Sequence, residues 1–399
     1  MSFRMVKASF SLFLFACCAC GTFPLQGAAW KIAAIDATGT GRYSSLRFDK
    51  DGNAHVSYIV EDLGHLLKYA FWDHVQDKWF PMAIDRGASF CSLTLDSRQR
   101  PHISYADYGT DTGSRLKYAH WDGAEWRKET IPLDSDIIAY YTSIALDQND
   151  RPSISFYEYR GVKGSDFHIR LRVVSWNGKY WEVRTVDGTA GSGKFNSMAA
   201  DSHGRLLLAY ANVDALTAGA RFATWDGTTW NTEVVDDMHS NDQQVVGYCM
   251  ALALDKEDAP HLSYWNINVP LIKYAVRKGG KWVTQIVDSP GAPKNLDRNS
   301  IAIDDVGNPY LSYYDSGRGQ LRVAHREGGR WQIEIVDSGF AGFTSSLQID
   351  HGLVWVTYAD EMNSALKVAY RELGPLEPPV PPNRATSMRD AHSSAGKPE

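Results

Sequence analysis

Outside its leader the sequence has almost no cysteine. Of five, Cys17, Cys18 and Cys20 cluster near the start and only Cys91 and Cys249 remain, far apart in the chain. A disulfide scaffold is thereby excluded, because a bridge needs Cα atoms within about 7 Å. Two buried free thiols and a fold held by packing are expected, and there is no metal-binding cysteine pattern. No stretch offers eighteen uninterrupted apolar residues, so no transmembrane helix is expected. A basic stripe is also missing: the net charge is −6, and it becomes −8 once Arg4 and Lys7 leave with the leader. Nucleic acid and anionic membrane are poor partners for such a chain. Nucleophile elbow, zinc signature and phosphate loop are absent too, so no cofactor or metal is expected.

What is present begins with a leader. Arg4 and Lys7 precede an apolar run from Phe10 to Cys20, then Pro24 and the small residues Gly27, Ala28 and Ala29. This is the pattern of a secretory signal peptide spanning residues 1–29, with the mature chain starting at Trp30. A competing reading takes Leu14, Phe15, Ala16 and Cys17 as an imperfect lipobox, which would add an acyl anchor without changing the fold. Either way the protein is expected outside the cytoplasm, secreted or periplasmic. At the other end, residues 373–399 are rich in proline and poor in apolar groups. They read as a disordered tail that buries too little surface to offset chain entropy.

Between them one unit recurs seven times. SLRFDKDGNAHVSY from Ser45, SLTLDSRQRPHISY from Ser92 and SIALDQNDRPSISF from Ser143 are followed by related segments from Ser197, Ala251, Ser300 and Ser346. Their aspartates, Asp49, Asp96, Asp147, Asp201, Asp255, Asp304 and Asp350, recur about every fifty residues, which suits one four-stranded blade. Each unit reads as two alternating strands around a polar turn, a third strand such as LLKYAFW from Leu66, and a fourth carrying Trp. Six such fourth strands follow the first unit, at Trp79, Trp126, Trp181, Trp230, Trp282 and Trp331. Six residues after each stand Asp85, Pro132, Asp187, Asp236, Asp288 and Asp337. The missing copy is WKIAAID, with Trp30 and Asp36 at the same spacing. The expectation is an all-β, seven-bladed β-propeller over residues 30–372, its last blade closed by the N-terminal strand, which removes open sheet edges. Truncation beyond Asp36 should be strongly destabilising.

The recurring Asp residues are read as turn caps and the Trp residues as packing between sheets. His55, His102 and His261 share one position of the second strand, which in other units holds Ser153, Leu207, Tyr310 and Trp355. They are read as hydrogen-bonded structural histidines rather than metal ligands. The repeat resembles the Asp-box or BNR-like repeats of sialidases and of secreted bacterial propellers over residues 30–372. The Asp-box form is SxDxGxxW, whereas this chain reads SxxxDxxGxP. The resemblance therefore implies the propeller and carries little of sialidase chemistry.

In a propeller, loops joining strand two to three and strand four to the next blade open on one face, where sites are held by a rigid scaffold. That face is the expected site. Tyr43, Phe90, Tyr141, Phe195, Tyr248 and Phe343 enter the first strands, and Asp107, Glu158, Asn212, Asn266, Asp315 and Asp360 leave the second. An aromatic ring beside an acidic and amide ring suits a sugar. The alternative is that the aromatics plug the central channel and the carboxylates cap loops. Asp236, Asp237, His239 and Asp242 mix acid and histidine in one loop, read as solvated rather than cation-binding. The leading expectation is a non-catalytic propeller that binds a glycan or other surface ligand. A polysaccharide hydrolase or lyase, using Glu158, Arg160, His168 and Asp107, comes second. A protein-interaction scaffold with a broad apolar patch comes third.

Overall fold

The computed structural model describes residues 29–107, 115–135, 137–162, 165–214, 218–237, 246–291 and 298–374. The leader through residue 28, the tail from 375, and His239 and Asp242 lie outside the described residues. So do the side chains of 161–168, His168 among them.

Seven four-stranded antiparallel sheets form a ring, a β-propeller with almost no helix. Blade 1 comprises Gly41–Phe48, Ala54–Val60, Leu66–Asp73 and Lys78–Asp85. Five further blades follow over 88–130, 137–187, 192–237, 246–288 and 300–338. The last blade takes Ala341–Asp350, Leu353–Asp360 and Ala365–Glu372 from the end of the chain, and its outermost strand, Lys31–Asp36, from the beginning. That closing pair is in register Lys31↔Tyr370 through Ala34↔Lys367. Closure by the N-terminal strand is therefore observed.

Because each sheet is sandwiched between two others, second strands bury both faces. Ala54–Val60 is buried along its whole length, its polar alternates His55 and Ser57 included. The apolar core is divided into clusters lying between neighbouring sheets. Trp of an outer strand meets the preceding blade's third strand edge-on: Trp126 on Tyr69 at 5.2 Å, Trp181 on Tyr118 at 5.6 Å and Trp331 on Tyr274 at 5.4 Å between centroids.

The turn aspartates do cap their turns. Asp49 Oδ1 accepts from the Asp51 and Asn53 amides at 3.0 and 2.8 Å. Asp96, Asp147, Asp201, Asp255 and Asp304 each repeat that pair of bonds. Asp350 departs, because its hairpin is shorter and pairs Asp350 directly with Leu353. Its carboxylate contacts His351 instead. His55 lies between Asp49 Oδ2 at 3.3 Å and the Tyr69 hydroxyl at 2.6 Å. His261 lies between Asp255 and Tyr274 in the same way. Both are satisfied structural histidines. Cys91 and Cys249 are buried and share no disulfide.

A second device ties most blades to the next. The Asp ending an outer strand accepts from the second-strand Tyr of the following blade and pairs with that blade's third-strand cation. Asp85 takes Tyr105 Oη and Lys117 Nζ, both at 2.8 Å. Asp288 takes Tyr313 at 2.7 Å and Arg322 at 3.0 Å. Asp337 takes Tyr358 at 2.7 Å and Lys367 at 3.4 Å, and Asp236 takes Tyr264 and Lys273. At the closing blade Asp36 takes Tyr58 and Lys68.

Candidate functional site

One seam lacks two of this tie's three members. Between blades 2 and 3, Pro132 stands in place of Asp, Phe156 in place of Tyr, and Arg172 at the cation position. Arg172 Nη1 donates to Glu158 Oε2 at 2.9 Å, the pairing within the blade that Lys117, Arg322 and Lys367 make elsewhere, and here Arg170 Nε adds a bond to Glu158 Oε1 at 2.9 Å. Glu158 itself is fully buried. One turn of chain further, Arg160 reaches Asp134 at 3.2 Å. Burial, with the like charges of Arg170 and Arg160, pushes the Arg172 guanidinium below its ordinary range against the pull of Glu158 and Asp134. Its Nε is buried without a hydrogen-bond partner.

Local sequence explains the placement. The second and third strands of blade 3 run Pro152–Val162 and Ser165–Trp176, whereas the corresponding strands of blade 2 have only seven residues each. The longer hairpin carries Glu158, Arg160 and Arg170 at the loop face, where Glu158 pairs in register with Arg170. Beside it a cleft of about 310 Å³ is lined by Arg115, Thr130, Pro132, Asp134 and Ser135. Of the two carboxylates and three arginines joined here, Asp134 lines that cleft, and the tyrosines Tyr140, Tyr157 and Tyr159 stand on the adjoining strands.

Five of the six expected aromatics form a collar of tilted rings. Tyr43, Phe90, Tyr141, Phe195 and Tyr248 follow one another at centroid distances of 4.9, 4.7, 4.8 and 4.8 Å. Phe90, Tyr141 and Phe195 are buried, while Tyr43 and Tyr248 are half-buried. The first four are in the left-handed region at φ 51–54°, each at a bulge that breaks the inner strand's register. Such a conformation costs a non-glycine residue about 1–2 kcal/mol. Its recurrence blade after blade marks it as part of the architecture, turning one side chain per blade toward the axis. In blade 5 the equivalent bulged residue is Cys249, and in blade 7 it is Thr344. Phe343 stands outside the collar and packs on Tyr314 at 4.1 Å.

The acidic and amide ring is directed inward. Asp315 accepts from the amides of Gly291 and Gly317 and pairs with Arg318 and Arg322. Asp360 pairs with Lys367 at 2.5 Å and Asn363, and Asp107 with Lys117 at 3.3 Å. Asn212 and Asn266 are buried, like Glu158. Sequence reading singled out Glu158 and Arg160 but missed Arg170 and Arg172. The available signal was that Pro132 and Phe156, two departures from the repeat, fall at the same seam.

Among the described residues one group has the spacing for a cation: Asp201, His203 and Asp258. Its oxygens are already engaged, Asp201 by turn amides and Arg205 and Asp258 by Ser202. It is a clasp between the turns of blades 4 and 5. No helix among the described residues is long and apolar enough to cross a membrane.

No protein-family model and no curated sequence matches the chain. Solved structures do share its fold. A polysaccharide lyase, PL25 ulvan lyase, aligns at 14% identity over 83% of this chain and 93% of its own, with a TM-score of 0.56. Polysaccharide lyase Uly1 aligns at 9% identity over 86% and 99%, with a TM-score of 0.55. A Trypanosoma rangeli sialidase in complex with sialic acid aligns at 11% identity over 86% of this chain and 59% of its own, with a TM-score of 0.50. This chain is similar to the sialidase and polysaccharide lyase propellers in fold.

Proposed function

We propose that this chain is an exported, non-catalytic propeller that binds an acidic glycan on its loop face at the seam between blades 2 and 3. The observation that carries the reading is the pair Arg170 and Arg172 on the buried Glu158, with Arg160 on Asp134 beside them, at the seam where the repeat's own tie has been given up. Guanidinium groups present planar forks that match carboxylate and sulfate oxygens, and the neighbouring tyrosines offer ring faces to sugar C–H patches. The sugar-acting names of structures with the same fold, one of them holding an acidic sugar, support a glycan ligand. Export rests on the leader pattern of residues 1–29. Of the candidates read from sequence, Glu158 is kept as the anchor of the arginines. Tyr43, Phe90, Asp107, Tyr141, Phe195, Tyr248, Asp315, Phe343 and Asp360 serve as the frame beneath the face.

Cleavage is the second reading, since arginines beside tyrosines are also the parts of a lyase. Binding is placed first because Glu158 is fully buried and held by Arg170 and Arg172, and Tyr157 is buried as well, so neither stands open to a substrate as a base. A glycan array carrying uronate, sulfated, sialylated and neutral chains, read with residues 30–374, tests both. Binding confined to acidic chains, weakened by salt and at least tenfold by Arg160→Gln, with glycans recovered intact by mass spectrometry, is the expected result. Neutral-only binding overturns the reading, and shortened or unsaturated products replace it with the lyase.

A further inference from the structure

The face opposite the loops opens into the axis through a cavity of about 590 Å³. Around it two stitches join inner strands, blade to blade. In the first, a serine hydroxyl accepts an amide from the next blade. Leu93 N donates to Ser45 at 3.1 Å, Met198 N to Ser143 at 3.0 Å, Leu252 N to Ser197 at 3.2 Å and Leu347 N to Ser300 at 3.0 Å. Ile144 N to Ser92 and Leu46 N to Ser346 complete six seams. The second is deeper and clearest between blades 3 and 4. Ser155 Oγ donates to Asn196 Oδ1 at 2.5 Å, and Asn196 Nδ2 donates to the Tyr141 carbonyl at 2.7 Å.

Both stitches fail between blades 5 and 6. Ala251 occupies the serine position and offers no acceptor. Ser263 and Asn299 occupy the places of Ser155 and Asn196, yet the Ser263 hydroxyl and both amide atoms of Asn299 have no hydrogen-bond partner. Ser263 is fully buried and Asn299 is 6% exposed. An unpaired buried polar group costs roughly 1–3 kcal/mol, so three orphaned atoms at one seam call for an explanation. The collar changes at the same place. Its blade 6 position is Arg298, with the guanidinium 5.4 Å from the Tyr43 ring centre. No carboxylate pairs with Arg298 or with Arg47 among the described residues, and both line the cavity together with Asn299. The cavity's own acids are already engaged at its rim. Asp96 and Asp147 hold turn amides, and Asp150 holds Ser97.

We infer that the axial cavity binds a small oxyanion, of the sulfate or free carboxylate class, between Arg298, Asn299 and Arg47. The site is entered from the turn face and separated from the loop-face arginines by the collar. Two guanidinium groups without a carboxylate partner among the described residues supply the charge, Arg47 having spent one donor on the Leu46 carbonyl at 2.7 Å, and the Asn299 amide supplies a donor that the fold leaves unspent. The cavity is large enough for a small organic acid as well as an inorganic ion.

Melting temperatures in sodium sulfate, compared with sodium chloride at matched ionic strength, test the site in solution. A saturating rise is expected in the native protein and is lost in Arg298→Gln. Asn299→Leu removes an orphaned amide, so it should melt higher without sulfate and gain less from it. That variant keeps the test alive if Arg298→Gln fails to fold. An equal, non-saturating rise in all three proteins is general salting-out and overturns the proposal. Crystals soaked in selenate should show anomalous density beside Arg298 and Asn299. Density only at Arg160, Arg170 and Arg172, or none, also overturns it.

Discussion

Tyr58 donates its hydroxyl to Asp36 Oδ2 at 2.6 Å, joining blade 1 to the strand that closes the ring. Burial alone would raise the Asp36 carboxyl. Bonds from Lys68, Tyr58 and Thr38 outweigh it and hold the carboxyl below the usual range. Asp36→Ala leaves a buried lysine without its counter-ion and should cost about 3–5 kcal/mol. Tyr58→Phe, which removes one bond to a charged acceptor, should cost about 1.5–3 kcal/mol. Chemical denaturation at pH 7 checks both, and deletion of residues 30–36 should abolish cooperative unfolding.

The seam between blades 2 and 3 offers a sharper test. Phe156→Tyr alone buries a hydroxyl opposite Pro132 and should destabilise by about 1–3 kcal/mol. Adding Pro132→Asp supplies the acceptor and should return most of that loss. A double-mutant cycle should therefore give favourable coupling above about 0.5 kcal/mol. By giving Arg172 a second carboxylate, as Arg322 has in Asp288 and Asp315, the pair should also weaken binding of acidic glycans.

Two pH windows are expected. Burial leads in depressing His102, to about 4, with His120 and Arg100 adding to it against Asp96. A histidine whose folded value lies below its unfolded one, near 6.5, contributes stability above pH 6.5, and this is lost as pH falls toward 4. His55 and His261 shift the same way, also led by burial. Asp85 and Glu334 are held at about 2 by their lysine, arginine and histidine partners despite burial. Their contribution is present above about pH 4 and is lost between 4 and 2. Unfolding free energies from pH 8 to 2 should fall in two steps, and His102→Leu should shrink only the first.

Ala251→Ser should restore the missing serine stitch and stabilise the protein by about 0.5–1.5 kcal/mol, whereas Ser143→Ala should cost a similar amount at an intact seam. Thermal unfolding of the two variants against the native chain checks the sign of each.

The ring was legible because its evidence is repetition: Asp49 and its six counterparts, and the Trp30-to-Asp36 spacing that displaced one strand to the front. The site was legible only in part. Glu158 and Arg160 stood out as polar residues in a long loop, but their partners Arg170 and Arg172 lie on the returning strand, hidden among positions that elsewhere hold structural cations. What a repeat conceals is which departures coincide in space. Pro132 and Phe156 are twenty-four positions apart in sequence and meet only when two blades pack. Tyr43 and its counterparts show the converse. The sequence shows that an aromatic recurs at this position, but the bulge that aims Tyr43, Phe90, Tyr141 and Phe195, at φ near 50°, is a backbone event with no glycine to announce it.

Closure by the first strand also sets the order of assembly. Lys31 must wait for Tyr370, its partner 339 positions later, so synthesis from the N-terminus produces the latch first and its catch last. Until then the first strand is an unpaired edge able to recruit a neighbouring chain. Nascent copies of this protein should be most prone to entangle in the interval before their final hairpin is made. Slowing synthesis late in the chain should lengthen that hazard, whereas slowing it early should not.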